Sequence, residues 1–574
     1  MNYRDIYELW CEKVTDAELA AELAAMAGNK KAIEDAFYTE LSFGTAGLRG
    51  IIGAGTNRMN NYTVAKATQG LADYLNKKYD SPSVAIGYDS RIKSDVFSQI
   101  ASGVLAANGV GVHLWPQLMP VPALSYAVRA LGASAGIVVT ASHNPSAYNG
   151  YKVYGADGCQ ITTQDSEEIL AEITKLDMFE DINTCPFHEA VEDGKIKYIS
   201  DDVYTDFIEE VKNRSVLFGE EVNKDIAIVY TPLNGAGLGP VTRVLKESGY
   251  TSITVVKEQE QPDGNFPTCP YPNPEIREAM ELGIEYAGRY DADLLIATDP
   301  DCDRAGIAVK DSKGEYVLLS GNQTRALLLD YICSQRAKHG RMPEEPVFIK
   351  TIVTTELCQQ IASSYGVTTK NVLTGFKYIG EQIGELESQG REDSYIFGFE
   401  ESYGYMSGAH VRDKDAVNAA FLICEMFCYY ADRGISLLDR LDALYQKFGY
   451  CVNKVHSYGF EGASGFEKMK KIMDDFRRVS GELAGRKIVS RLDYREGIDG
   501  LPKANVLQFY LEDNCSVIVR PSGTEPKIKV YITVSAESGE AAELAEQELS
   551  RRVEGLLCGT SSQLPDETAK KHRA

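Results

Sequence analysis

A repeated local pattern constrains this 574-residue chain more than any other feature: a short apolar, β-branched run, then a polar loop, then a stretch with helical periodicity. Residues 83–89 read as a strand, and 96–108 place Ile100, Val104 and Leu105 on one helical face. Val112-His113-Leu114 and Gly136-Ile137-Val138-Val139 are the next strands. The pattern returns at 226–230, 253–256 and 293–298, and again at 347–350 and 395–399, followed by an apolar helix at 416–431. Such alternation marks a mostly parallel sheet flanked by helices. Nearer the C-terminus, strands at 516–519 and 529–534 are joined by a tight loop and closed by a helix at 539–557.

A domain usually takes ~100–200 residues, so this length asks for three to five of them. The sequence divides as 1–204, 205–320, 321–450 and 451–574. The first three read as α/β domains with mixed sheets flanked by helices, the fourth as a smaller α+β domain. Residues 1–40 are expected to be a helical packing extension of the first domain, and 450–490 a variable linker before the core of the fourth.

Composition excludes several function classes. A net charge of −24 argues against nucleic acid as partner, because binding there rewards a basic face. An anionic substrate would need cations gathered locally, which net charge does not forbid. The twelve cysteines contain no Cys-x-x-Cys pair and the seven histidines do not cluster, so no zinc site is expected. Cys424 and Cys428, one helical turn apart in an apolar helix, are expected in the core. Many unpaired cysteines fit a reducing compartment. The first residues are polar, and no run of ~18 apolar residues occurs. The expectation is a cytoplasmic protein without membrane association.

Chemistry is concentrated in a few loops. Phe43-Gly44-Thr45-Ala46-Gly47-Leu48-Arg49-Gly50 combines backbone freedom with a guanidinium suited to phosphate. Thr140-Ala141-Ser142-His143-Asn144-Pro145 follows a buried strand, and its proline forces a bend that exposes the Ser142 hydroxyl; Lys152 lies just beyond. No Gly-x-Ser-x-Gly elbow surrounds Ser142, so it is not a hydrolase serine. Asp299-Pro300-Asp301-Cys302-Asp303-Arg304 also ends a strand. Its alternate carboxylates project to one side and suit a hard cation, Mg²⁺ in preference to zinc. It is not an EF-hand, since Arg304 stands at the glycine position and Lys310 at the twelfth. Gly375 and Lys377 form another loop, and Glu400 with Ser402 offers acceptors and a donor for sugar hydroxyls; Lys414 follows. Arg520-Pro521-Ser522-Gly523-Thr524 supplies a guanidinium, hydroxyls and free amides, a phosphate nest.

The serine, aspartate, glutamate–serine and arginine motifs, in this order and spanning about residues 44–535, resemble the α-D-phosphohexomutase family of phosphoglucomutases and phosphomannomutases. The resemblance implies four domains around a central cleft. It implies that Ser142 is carried as a phosphoserine and joins Asp299, Asp301 and Asp303 around one Mg²⁺. Arg49, Lys152, Arg304 and Lys414 match positions around the transfer centre. His143, Lys152 and Lys414 remain open as the group that moves the sugar-hydroxyl proton. Glu400 and Ser402 would read the sugar, Gly375 and Lys377 would contribute to substrate binding, and Arg520, Ser522, Gly523 and Thr524 would hold the idle phosphate. The implied activity is interconversion of glucose 1-phosphate and glucose 6-phosphate, with glucose 1,6-bisphosphate as intermediate and activator. Gly398 to Tyr405 looks like the longer-chain phosphoglucomutase branch, which also holds phosphopentomutases, so pentose and mannose phosphates are the alternatives. Sugar phosphates are the expected partners of a monomer or weak dimer. Two rival readings are an aspartate-nucleophile phosphatase, which leaves Ser142 without a purpose, and a non-catalytic sugar-phosphate sensor, which needs no intact serine or triad.

Overall fold

A computed structural model describes residues 2–44, 47–460, 462–498, 500–522 and 527–558. They form two compact units. One comprises the chain up to Lys350 with Tyr365–Lys370 and Gly375–Leu438, the other Thr351–Ser364, Asn371–Thr374 and the chain from Asp439 onward.

In the first unit the N-terminal extension is helical, as expected, in three pieces: Tyr3–Lys13, Ala17–Met26 and Lys30–Phe37. Asn2, Asp16 and Asn29 cap them by accepting backbone N–H groups, which fixes their starts. Trp10, buried, meets Phe37, Tyr62 and Phe179 at ring distances of 5.5–5.8 Å, so the extension is packed into the first α/β layer.

The first sheet runs in the order Gly47–Ile51, Tyr148–Gly155, Ala135–Val139, Ser83–Tyr88, Gly111–Leu114, Ile196–Tyr198. The last four pair in parallel, and the first two pairings are antiparallel. The reason is connection length. Residues 140–147 are too few for a parallel crossover, so the chain must turn back on itself. The second sheet has the order Tyr316–Leu319, Ala305–Lys310, Leu294–Thr298, Ile228–Thr231, Ile253–Val255, with the same mixture of pairings. Its strand expected at 226–230 begins at Ile228. The Ala227 N–H is instead taken by the Asp293 carboxylate at 2.8 Å. In the third sheet Val347–Thr351 lies parallel to Tyr395–Glu400, and Gly404–Met406 pairs antiparallel at its edge. The helix Ala416–Ala431 is buried along nearly its whole length, and Cys424 and Cys428 belong to that core.

The second unit carries a six-stranded antiparallel sheet whose core, including Leu507, Phe509, Val517, Val530 and Ile532, is covered by the helices Gly462–Arg478 and Gly539–Cys558. The expected linker at 450–490 is not one. It holds the strand Tyr450–Gly459, the helix Gly462–Arg478 and the strands Glu482–Leu483 and Arg486–Asp493. Tyr450–Gly459 pairs along its full length with Lys527–Ala536. Its residues are only half-buried, so the strand reads as polar, and the hydrogen-bond ladder fixes it instead of an apolar run. Among the described residues no helix is long and apolar enough to cross a membrane.

Candidate active site

Three of the four motif loops lie in the first unit, and each is the tip between two antiparallel strands. Ser142 connects Ala135–Val139 to Tyr148–Gly155, the aspartates connect Leu294–Thr298 to Ala305–Lys310, and Glu401 to Tyr403 connect Tyr395–Glu400 to Gly404–Met406. Such tips hold small polar side chains on rigid supports, but the Ser142 hydroxyl, expected to be exposed by the bend at Pro145, is buried, as are the three aspartates, because the loops pack against one another.

Ser142 has φ = 52°, a left-handed conformation that disfavours a residue with a Cβ, and it is buried. Its N–H donates to Thr140 Oγ1 at 2.8 Å, and Thr140 Oγ1 donates to Asp89 Oδ2 at 2.6 Å. The Ser142 hydroxyl donates to Asp299 Oδ2 at 3.0 Å and lies 3.3 Å from His143 Nδ1. Asp299 Oδ1 accepts the backbone N–H groups of Asp303 and Arg304, both at 3.0 Å.

The three aspartates are buried, with ligand oxygens all within 4.8 Å of one another. Unit charges that close repel by about 3–4 kcal/mol at an effective dielectric of ~20, so the cluster needs cations. Lys152 Nζ lies 2.9 Å from Asp301 and 3.7 Å from Asp303, Lys414 Nζ 3.2 Å from Asp303, and Arg304 Nε 3.5 and 3.4 Å from Asp299 and Asp303. Among the described residues Asp301 Oδ1 and Asp303 Oδ1 nevertheless have no hydrogen-bond donor. Hard oxygen donors left over in a buried triad fit a divalent cation.

Burial and the neighbouring Asp301 and Asp303 charges push the Asp299 carboxyl well up. Burial would also raise Asp301, but the Lys152 ammonium more than offsets it and holds that carboxyl below its ordinary value. Burial would lower Lys152 and Lys414, and the carboxylates around them raise both instead. His143 is held well below its ordinary value by burial and by the Arg304 and Arg49 cations, so it is neutral at neutral pH.

Lys414 also reaches Glu400 at 3.3 Å and Asp413 at 3.0 Å. Gly404 makes room for it: a Cβ there would fall 2.1 Å from Lys414 Cδ. Burial raises the Glu400 carboxyl. Ser402 has φ = 65°, and its carbonyl accepts from Arg304 Nη1 at 3.1 Å, which ties the Glu401–Tyr403 tip to the aspartate loop. Arg49 lies on the strand opposite Gly150, two residues from Lys152. Gly375 has φ = 121° and caps the helix Phe376–Ser388. Lys377, expected on a loop, lies in the first turn of that helix. Its buried Nζ has no hydrogen-bond partner among the described residues, and burial lowers its pKa.

The fourth motif belongs to the second unit, where Cys515–Pro521 and Lys527–Ala536 pair antiparallel. Arg520 lies opposite Lys529 with Nη1 3.5 Å from the Tyr531 hydroxyl, and Ser522 N–H donates to the Lys527 carbonyl at 2.7 Å. Gly523 and Thr524 lie outside the described residues.

Sequence reasoning missed the supports: Thr140, Asp89 and Arg91 behind Ser142, and Asp413 behind Lys414. Asp413 Oδ2 accepts from Tyr154 at 2.8 Å and Gln160 at 3.0 Å, which orients the carboxylate that holds Lys414. Their one signal was position. Asp89 follows the strand Ser83–Tyr88, which lies parallel to Ala135–Val139 in a register placing Tyr88 beside Val139.

The family models of phosphoglucomutase/phosphomannomutase match the chain as α/β/α domain I over residues 40–180, domain II over 202–314, domain III over 320–448 and the C-terminal domain over 466–551. A phosphoglucomutase of Staphylococcus haemolyticus is 37% identical over 519 residues, covering 88% of this chain and 92% of that protein. A phosphoglucomutase of Staphylococcus aureus strain USA300 is 36% identical over 549 residues, covering 92% and 95%. Among solved structures, the exocytosis-sensitive phosphoprotein pp63/parafusin of Paramecium shares the fold, with a TM-score of 0.69 at 17% identity over 92% of this chain and 97% of that one. A phosphoglucomutase/phosphomannomutase family protein of Burkholderia thailandensis does so with a TM-score of 0.66 at 18% identity over 91% and 98%. With all four family domains matched in order, and a buried serine, a carboxylate triad and fixed cations in one site, the chain belongs to the α-D-phosphohexomutase family and is an isomerase of the phosphoglucomutase/phosphomannomutase type.

Proposed function

We propose that the chain is a phosphoglucomutase, interconverting glucose 1-phosphate and glucose 6-phosphate through a phosphorylated Ser142. The observation that carries this reading is the Ser142 hydroxyl, 3.0 Å from Asp299 in a triad with unsatisfied oxygens and three fixed cations around it. The phosphatase reading asks Asp299 or Asp301 to act as nucleophile. Asp299 is committed to two backbone N–H groups and to Ser142, and Asp301 is paired with Lys152.

Asp299, Asp301, Asp303 and the phosphorylated Ser142 would hold one Mg²⁺, which supplies charge neutralisation to the phosphoryl oxygens. This chain's residues do the rest. The sugar hydroxyl attacks the phosphorus of phospho-Ser142, the bond to Ser142 Oγ breaks, and glucose 1,6-bisphosphate forms. The other phosphate then returns to Ser142 Oγ in the reverse sense. Lys152, Arg304 and Lys414 stay charged and face the developing charge. His143, neutral at neutral pH, takes the hydroxyl proton. Glu400 and Ser402 bind sugar hydroxyls. Arg49, Gly375 and Lys377 contribute to phosphate and sugar binding, and Arg520, Ser522, Gly523 and Thr524 hold the phosphate that is not reacting. Glucose 1,6-bisphosphate is the activator that recharges Ser142, and the cytoplasm is the compartment that suits so many free thiols.

A panel of glucose, mannose and pentose 1-phosphates, assayed with catalytic bisphosphate, tests the reading. Glucose 1-phosphate should give the highest kcat/KM. A larger value for a pentose or mannose phosphate would replace the substrate, and release of free phosphate in place of the isomer would replace the reaction.

A further inference from the structure

Arg91 is buried, and its guanidinium is turned onto the backbone of the Ser142 loop instead of toward substrate. Nη1 donates to the carbonyls of Pro145 at 2.9 Å and Tyr148 at 3.1 Å. Nη2 donates to the carbonyl of Ser142 at 2.5 Å and to that of Asn144. Four carbonyls of one loop thus end on a single side chain. The ladder between the two strands ends at Val139 and Tyr151, short of these oxygens, although Pro145 also accepts from the Tyr148 N–H at 3.0 Å, and a buried carbonyl without a donor is costly. Only a planar fork with several fixed donors serves them together.

Two further residues hold Arg91 itself. Its N–H donates to Asp89 Oδ1 at 3.0 Å and its Nε lies 3.5 Å from Asp89 Oδ2, the oxygen that also accepts from Thr140. The other face of the guanidinium lies 5.1 Å from the ring centre of Phe266. Phe266 belongs to the stretch between residues 202 and 314 that also carries the aspartates. Gly264 shows how close this approach is, since a Cβ there would fall 2.4 Å from the Ile92 nitrogen.

We infer that Arg91 is the positioning residue of the Ser142 loop: it holds Ser142 at positive φ with its hydroxyl on Asp299 and ties the loop to the segment that bears the triad. The inference rests on the proposed role of Ser142 as phosphoryl carrier. The Arg91 guanidinium is engaged by loop carbonyls, Asp89 and Phe266, so its removal is expected to act on the transfer step and spare substrate binding.

Arg91→Met and Arg91→Lys test this, with kcat normalised to the fraction of chains that glucose 1,6-bisphosphate phosphorylates at Ser142. Misplacement of a reacting group by about 1 Å costs about 100-fold, so Arg91→Met should lose about 100-fold in kcat and Arg91→Lys about 10-fold, with KM for glucose 1-phosphate within about threefold of wild type. A merely structural residue would lower the active fraction and the Tm without changing the normalised kcat. The inference is overturned if the folded variants keep their normalised kcat, or if KM rises as much as kcat falls. Should Arg91→Met fail to fold, Arg91→Lys decides alone by the same criteria. Phosphorylation of wild-type protein at a residue other than Ser142 would overturn the carrier reading itself, whatever the Arg91 variants do.

Discussion

The Ser142 hydroxyl donates to a carboxylate that is itself crowded by two more, so the serine is placed where negative charge is least welcome unless a cation arrives. That arrangement gives two tests. Ser142→Ala removes the acceptor of the phosphoryl group, so turnover should fall to background while the Tm stays near wild type. Uptake of label from labelled glucose 1,6-bisphosphate by Ser142→Ala would refute the assignment. Asp301→Asn keeps the shape but leaves Lys152 with a neutral partner at 2.9 Å. Interactions made chiefly in the transition state lower kcat more than they raise KM, so kcat should drop about 100-fold or more with KM changed only a few fold. Full activity in excess chelator would remove the metal from the mechanism. These residues were legible in the sequence because each set lies within six consecutive positions. Arg91 and the Asp413 support were not, because their partners are backbone carbonyls or side chains some fifty or more residues away, brought together only by the tertiary fold.

At the scale of elements, apolar strands and the long helix at 416–431 were readable from periodicity, and the polar strand Tyr450–Gly459 was not, because half-buried strands lack an apolar signature. Side-chain ties between helices were equally silent. Glu387, on the helix Phe376–Ser388, pairs with Arg129 of the helix Val121–Ala130 and with Arg412, both at 2.7 Å. The Arg129 hydrogen bond, with the Arg412 charge, holds its carboxyl at about 2. A depressed folded-state value means the tie stabilises above the unfolded value of ~4.3 and is lost as pH falls toward ~2. Glu387 is 42% exposed, so solvent screening limits the contribution to under ~1 kcal/mol. Glu387→Gln should therefore be slightly less stable than wild type at pH 7, and the gap should close between about pH 4 and pH 2. A gap of the same size at both ends would mean that the carboxylate charge is not what holds the helices.

At the scale of the molecule, a chain with net charge −24 has to bind a doubly anionic sugar phosphate, and it does not do so through an overall field. The cations nearest Ser142 are spoken for by carboxylates, since Lys152 and Lys414 are buried against the triad and raised in pKa. They neutralise charge that develops during transfer more than they attract a distant phosphate. In the proposed function, ground-state binding of the idle phosphate falls to Arg520, on a strand of the second unit opposite Lys529. A charge-assisted hydrogen bond contributes ~1.5–3 kcal/mol, and each ~1.4 kcal/mol is tenfold in affinity. Arg520→Ala should thus raise KM for glucose 1-phosphate roughly ten- to a hundredfold, and Ser142 should still accept label at high bisphosphate. The variant should also shed the bisphosphate more often before it turns over, so its rate should depend more steeply on added activator. An Arg520→Ala protein with wild-type KM and wild-type activator dependence would show that the C-terminal loop takes no part in binding the substrate, and the idle phosphate would then have to be held by other cations, of which Lys377, whose Nζ has no hydrogen-bond partner among the described residues, is the next to test.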